Sequence, residues 1–99
     1  MNAVEESVLG RYGRLHKTYL MQNKPQVYQE LSESGKIDEY LLEIDRQARC
    51  EHEMLMESFK KTERITEELK QTDQLQWVQS VMNIWNRVEE IVLAELIYV

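Results

Sequence analysis

The stretch from Thr66 to Tyr98 constrains the fold most, because its apolar residues recur at helical spacing over a surface too wide for a single neighbour. Two adjacent apolar stripes result, and Val81 and Val88 flank them. The stripes are Trp77, Ile84 and Ile91, and Val78, Trp85 and Val92. The remaining polar residues fit on a narrow strip. We therefore predict that this stretch is the central helix of a small all-α domain and that the preceding segments wrap around it.

Composition and length agree with one helical domain. Ninety-nine residues are too few for two cores, and three glycines with one proline leave little room for the turns of an all-β domain. The single cysteine excludes an internal disulfide, and no signal peptide or membrane span is evident, so a cytoplasmic protein without membrane contact is expected. We predict a flexible lead-in over residues 1–9 and one helical domain over 10–99.

The coarse pattern predicts four helices in a small bundle. Two short N-terminal helices, 11–22 and 25–34, are expected to pack on a long antiparallel helical hairpin formed by 39–61 and 66–98. The expected inner face of the second helix consists of Val27, Tyr28 and Leu31. On the third helix, Asp45/Arg49 and Glu57/Lys61 are predicted to be exposed i,i+4 ion pairs.

Local signals predict where these helices begin and end. Gly35 is expected to form a left-handed C-terminal cap, and Asp38 is expected to cap the next helix. Asp73 followed by Gln76 resembles a capping box, so the last helix is either continuous or starts again at Asp73. Another break is predicted between Glu63 and Ile65.

The charge is unevenly placed. Residues 10–29 carry four cations and no carboxylate, whereas the rest of the chain holds 8 basic and 18 acidic residues. This basic segment could lie on a DNA backbone. Its candidate DNA-binding residues are Arg11, Arg14, His16, Lys17 and Lys24. The alternative is a solvated basic face that pairs with the acidic long helices.

The C-terminal end carries apolar residues outside the two main stripes. These residues are Leu93, Ile97, Tyr98 and Val99. They predict either burial beneath the N-terminal helices or a self-association surface that forms a homodimer.

A cluster on the third helix contains ligand-type side chains. Its members are Cys50, Glu51, His52, Glu53 and Glu57. The spacing matches neither zinc nor di-metal motifs, and Cys50 and His52 lie two positions apart on different helix faces. We expect a solvated helix face, with no metal, no cofactor and no catalytic residue.

Several short motifs together resemble one known family. They are Gly10-Arg11-Tyr12-Gly13-Arg14 with Tyr19-Leu20, Ser34-Gly35-Lys36, Ile44-Asp45-Arg46-Gln47-Ala48, Asp73-Gln74 with Trp77-Val78, Glu89-Glu90-Ile91-Val92, and Glu95-Leu96-Ile97-Tyr98. In order and spacing, from Gly10 to Tyr98, they resemble the TnpV family of small proteins encoded on mobile elements of Gram-positive bacteria. The resemblance also leads us to expect a longer N-terminal extension in many members than this sequence shows.

The resemblance implies a non-enzymatic accessory protein of a transposon. The family has been likened to phage excisionases, small DNA-binding proteins that assist a recombinase. DNA or an element-encoded recombinase would then be the partner. The alternative that the residues leave open is a helical protein-protein interaction module that does not bind DNA.

Overall fold

The computed structural model describes residues 9–99, and every regular element in that range is helical. The elements are α1 (Arg11–Asn23), α2 (Pro25–Glu33), α3 (Ile37–Thr62), α4 (Glu67–Thr72), α5 (Gln74–Val92) and a π-helical turn (Leu93–Ile97). The all-α class is confirmed. Most of the predicted lead-in lies outside the described residues, but Leu9, its last member, is buried.

The core lies where α1, α3, α5 and the π-helical turn meet. Its buried apolar residues are Tyr12, Ala48, Ile84, Val88, Val92 and Ile97. Pairs such as Glu63 with Arg87 and Glu51 with Glu95 show that α3 and the α5 region run in opposite directions. The described part of the molecule is long and thin, with extents of 55 × 25 × 17 Å.

The ends of the elements follow local chemistry. Gly35 adopts φ +76°, and Lys36 N donates to Leu31 O at 2.9 Å, so the predicted left-handed cap is confirmed. The predicted cap at Asp38 is wrong, because Lys36 is the N-cap residue of α3 and Asp38 lies within its first turn, where a carboxylate still suits the helix dipole.

The last helix is interrupted at Asp73, the second of the two options that the sequence leaves open. Asp73 has φ −149° and ψ 82°, and its side chain accepts a hydrogen bond from Gln76 N at 3.1 Å. Thr66 caps α4 in the same way, accepting from Leu69 N at 3.2 Å. The predicted break near Glu63 is confirmed, since α3 ends at Thr62 and α4 starts at Glu67.

Neighbouring helices bury only one side of α5. Ile84, Val88 and Val92 are completely buried, whereas Val78 and Trp85 remain exposed. The expectation that neighbours cover both stripes is therefore wrong for the first half of α5, because α3 supplies only one long packing partner.

The second helix contributes little to the core. No residue of α2 is buried, and Val27, one of its three expected inner residues, is exposed. Among the described residues, no helix is both long and apolar enough to cross a membrane.

Candidate functional site

Two buried carboxylates connect α1 to the two antiparallel helices α3 and α5. The first belongs to Asp45 on α3, which is only 2% exposed. Its Oδ1 accepts a hydrogen bond from Gly13 N at 2.9 Å, and its Oδ2 accepts one from Arg49 Nε at 2.9 Å. The predicted i,i+4 pair is therefore present, but its acidic partner is buried rather than exposed.

Glycines permit this close approach of α1 to α3. A Cβ atom on Gly10 would lie 2.6 Å from both carboxylate oxygens of Asp45. A Cβ atom on Gly13 would lie 2.5 Å from Leu9 Cδ1 and 3.2 Å from Asp45 Cβ. A larger residue at position 10 would therefore collide with the Asp45 carboxylate on α3, and one at position 13 would collide with the Leu9 side chain, so the two glycines are packing residues.

The second carboxylate belongs to Glu89 on α5. Tyr12 donates its hydroxyl hydrogen to Glu89 Oε1 at 2.5 Å, and Arg11 forms an ion pair with Oε2. Burial raises the pKa of Glu89, but the hydrogen bonds from Arg11 and Tyr12 outweigh burial and leave that pKa below its ordinary value. Burial and the hydrogen bond to Glu89 raise the pKa of Tyr12, which therefore remains a donor.

A buried histidine joins α1 to the C-terminal end. His16 is 1% exposed, with Nδ1 lying 2.7 Å from Ile97 O and Nε2 lying 2.9 Å from Tyr40 Oη. A carbonyl oxygen can only accept, so Nδ1 carries a hydrogen and donates it to Ile97 O. Burial raises the pKa of Tyr40. His16, a candidate DNA-binding residue, is thus part of the core and does not reach the surface.

An open groove of about 730 Å³ lies next to the contacts that hold α1 against α3 and α5. Four cations line it, three from α3 and one from α1. They are Arg11, Arg46, Arg49 and Lys60. The groove is also lined by the rings of Tyr12 and Trp85 and by the carboxylates of Glu53 and Glu57. We call this feature the cationic groove.

Two of the four groove cations pair with buried carboxylates, and the other two pair with exposed carboxylates. Arg11 and Arg49 are anchored to buried carboxylates, yet their own side chains are 53% and 65% exposed. Arg46 pairs with Glu43 at 2.6 Å on the surface, and hydrogen bonds from Arg46 and Gln47 lower the pKa of Glu43 to about 2. Lys60 pairs with Glu57 at 3.4 Å.

The other basic-segment candidates lie elsewhere. Arg14 donates from Nη1 to Leu9 O at 2.5 Å, and Lys24 is an exposed residue between α1 and α2. Lys17 is half-buried. The basic segment is therefore divided among the core, the end of α1 and the cationic groove, where only Arg11 contributes.

The four predicted self-association residues differ in how deeply they are buried. Ile97 is completely buried and Leu93 packs against the core, whereas Tyr98 and Val99 are exposed. The Tyr98 ring lies 5.6 Å from the Tyr19 ring, centroid to centroid. Burial beneath the N-terminal helices thus accounts for two of the four residues.

The ligand-type cluster on α3 does not converge on a metal site. Within residues 9–99, no three or more His, Cys, Asp or Glu side chains are placed so that they could hold a metal ion together. Cys50 is exposed, but His52 is half-buried between the rings of Tyr12 and Trp85, with centroid distances of 6.3 and 5.4 Å. The expectation of a solvated face is therefore wrong for His52.

Comparison with known families decides the relationship that the motifs suggested. The model of the family described as "Transposon-encoded protein TnpV" matches residues 1–97. The chain belongs to the TnpV family. No curated protein and no solved structure shows significant similarity to it.

The motifs that carry the TnpV resemblance include the residues that fasten α1. Gly10, Arg11, Tyr12 and Gly13 come from the first motif, Asp45 comes from the third, and Glu89 opens the fifth. In this TnpV chain, the first motif therefore has a clear structural role. Sequence reasoning missed the roles of Asp45 and Glu89, because a carboxylate among many others carries no local sign of burial.

The groove residues of α3 form a pattern that is visible in the sequence. Arg46, Arg49, Glu53 and Lys60 recur at three, four and seven positions, which places them on one helix face. The sequence alone is enough to identify this face of α3. The position of Arg11 beside it depends on how α1 crosses α3.

Proposed function

We propose that this TnpV-family chain is a non-enzymatic accessory protein of its transposon and that it assists recombination or excision by holding DNA phosphates in the cationic groove. The observation that carries the proposal is the convergence of four cations from two helices on one groove, in a chain with a net charge of −6. DNA contact by such a chain has to be local, because its overall charge repels a polyanion.

Arg11 and Arg49 are suited to phosphate because their positions are fixed before binding. Each guanidinium is tied to a carboxylate that is itself buried and hydrogen-bonded. Arg49 uses Nε for Asp45, so its two terminal nitrogens can donate to a phosphate. Little side-chain entropy is then lost on binding.

The remaining groove charges set the strength of the contact. Arg46 and Lys60 can exchange exposed carboxylate partners for phosphate, whereas Glu53 and Glu57 repel it. Binding is therefore expected to be weak and steeply dependent on salt. No base-reading pair is apparent, so the contact would position DNA rather than select a sequence.

The test compares charge reversals inside and outside the groove. In Arg46→Glu/Lys60→Glu, affinity for a short duplex at low salt should fall at least about tenfold, and the slope of log K against log salt should flatten by about 2. The control, Lys36→Glu/Lys61→Glu, makes the same charge change at exposed positions outside the groove. Fluorescence anisotropy measures both. Equal losses in the two proteins would refute the groove.

The same experiment separates the groove from the predicted basic segment. Arg14→Glu/Lys17→Glu changes two α1 residues that do not line the groove. If only this variant lost DNA binding, α1 itself would be the contact surface.

A second candidate function is protein-protein interaction without DNA binding. The exposed apolar residues on the first half of α5 favour it, because a solvated monomer gains nothing from them. Under this candidate, duplex DNA is not retained even at low salt, and both reversal variants behave like the wild type.

A further inference from the structure

The part of α5 from Leu75 to Trp85 carries an exposed apolar strip. Leu75, Val78, Met82 and Trp85 are separated by three, four and three positions, which places them on one helix face. All four are exposed, Leu75 by 68% and Met82 by 55%. We call these four residues the α5 strip. It lies beside the buried side of the helix, to which Ile84 and Val88 belong.

The α5 strip lies in the longest uncharged stretch of the chain. From Gln74 to Asn86 there are 13 residues without Asp, Glu, Lys or Arg, although 30% of the chain is charged. The polar residues beside the strip are amides, Gln79, Asn83 and Asn86. Solubility alone would favour charges at such exposed positions.

We infer that a second copy of this chain covers the α5 strip, so that two α5 helices pack against each other about a two-fold axis. Charge is compatible with this occupant and argues against a partner that binds through ion pairs. Two chains that each carry −6 repel, and they can associate only through surfaces that bring no like charges together. The uncharged stretch satisfies this condition, whereas an oppositely charged partner would find no charge there to pair with.

The spacing also suits a helix-helix contact between identical faces. Apolar residues at alternating intervals of three and four form the seam of a two-helix coil, in which each side chain enters a space between residues of the facing helix. A two-fold contact is self-complementary, so one strip serves both copies. Amide side chains at its edge can hydrogen-bond across the contact without a charge penalty.

The size of the strip predicts a modest affinity. Four side chains per copy span about 15 Å of helix at 1.5 Å per residue, which places the interface at the low end of the range for specific contacts. Dimers should therefore form at protein concentrations on the order of tens to hundreds of micromolar.

Sedimentation equilibrium of the full chain tests this inference. The wild type should show a monomer-dimer equilibrium, and Met82→Glu should weaken association about tenfold or more, because it places a charge in the contact. Met54→Glu is the matched control, since Met54 is an exposed methionine on α3 and the charge change is identical. It should associate like the wild type.

A second variant tests the C-terminal alternative. Tyr98→Glu changes an exposed residue outside the α5 strip. It should leave the association constant unchanged. A wild type that stays monomeric at millimolar concentration, or a dimer that Tyr98→Glu disrupts and Met82→Glu does not, would overturn the inference.

Disulfide trapping supplies an independent readout. In a Cys50→Ser background, Gln79→Cys places a thiol beside the centre of the strip, where the two copies of one position meet. It should form disulfide-linked dimers on mild oxidation, whereas Gln47→Cys on α3 should not. Equal trapping of both would contradict the proposed contact. The α5 strip and the cationic groove share Trp85, but Met82 does not line the groove, so Met82→Glu tests the association without changing a groove residue.

Discussion

At the scale of single residues, the molecule depends on polar groups that lie in its core. Asp45, Glu89 and His16 each join α1 to a distant part of the chain, and each has hydrogen-bond partners that satisfy it. Such groups are costly to bury alone but stabilise one arrangement when they are fully paired. They define where α1 crosses the hairpin.

Glu89 should make stability depend on pH. Its pKa in the folded protein lies below the ordinary 4.5, so folding favours the ionised form. This contribution is present above pH 4.5 and is lost as pH falls through the folded-state pKa. The free energy of unfolding should drop by about 1–2 kcal/mol at pH 7 in Glu89→Gln, because a neutral side chain weakens the hydrogen bond from Tyr12 and removes the ion pair with Arg11.

Urea denaturation at several pH values checks this prediction. The difference between wild type and Glu89→Gln should shrink as pH falls below 4.5. Glu90→Gln, the control at the exposed neighbouring position, should resemble the wild type throughout. A difference that stays constant from pH 7 to pH 3 would show that Glu89 does not act through its charge.

Gly10 should tolerate no side chain. In Gly10→Ala the new Cβ would meet both oxygens of Asp45, which is held by Gly13 N and Arg49. We expect a loss of about 1–3 kcal/mol in the free energy of unfolding, typical of overpacking. Gly35→Ala is the informative comparison, because a Cβ at Gly35 meets nothing within 4 Å and only its φ of +76° opposes the change. A Gly10→Ala protein as stable as the wild type would contradict the close approach of α1 to α3.

At the scale of elements, the turn after α3 contains a residue in an unfavourable conformation. Arg64 adopts φ +60°, while Ile65 N donates to Lys60 O at 2.8 Å to close the helix end. Glycine adopts this conformation without the clash of a Cβ atom. The left-handed conformation costs a non-glycine residue about 1–2 kcal/mol, and the greater freedom of glycine in the unfolded chain offsets part of the gain. Arg64→Gly should therefore raise the free energy of unfolding by about 0.5–1 kcal/mol.

Thermal denaturation followed by circular dichroism measures this change. Arg64→Ala separates the effect of backbone conformation from the loss of the charged side chain, and it should not stabilise the protein. If both variants changed stability equally, conformational strain at Arg64 would not be the cause.

Elements were predictable where their ends carry local chemistry. The cap at Gly35 and the break after Thr62 follow from residues within a few positions of each other, whereas the local pattern at Asp73 left both a continuous helix and a restart open. Burial was less predictable, because it depends on distant partners. His16 and Ile97 are 81 positions apart, and nothing near His16 distinguishes a core histidine from one that lies among surface cations.

At the scale of the whole molecule, the packing of residues 9–99 leaves exposed the two surfaces on which the proposals rest. The hairpin is too thin to cover both sides of α5, which leaves the α5 strip exposed. The crossing of α1 over α3 brings Arg11 beside Arg46, Arg49 and Lys60. The first surface is uncharged and is the proposed contact with a second copy of the chain. The second holds four cations, each paired with a carboxylate, and is the proposed contact with phosphate.

Both surfaces arise from the same packing. In the sequence, the residues of the two surfaces form separate patterns, one apolar and one basic. The sequence does not show that Arg11, a member of the basic segment, lies beside the basic residues of α3 in the folded protein. That position depends on the glycines at positions 10 and 13 and on the buried carboxylates of Asp45 and Glu89. The candidate site is therefore a consequence of the fold and could not be identified from local motifs.

An NMR titration of the full chain with a short DNA duplex at low salt tests the central claim most directly, because each arginine Nε–H gives its own signal. The cationic groove predicts that the signals of Arg11, Arg46 and Arg49 shift together, while that of Arg87, outside the groove, stays in place. Shifts confined to Arg14, or no shift at any arginine, would contradict it.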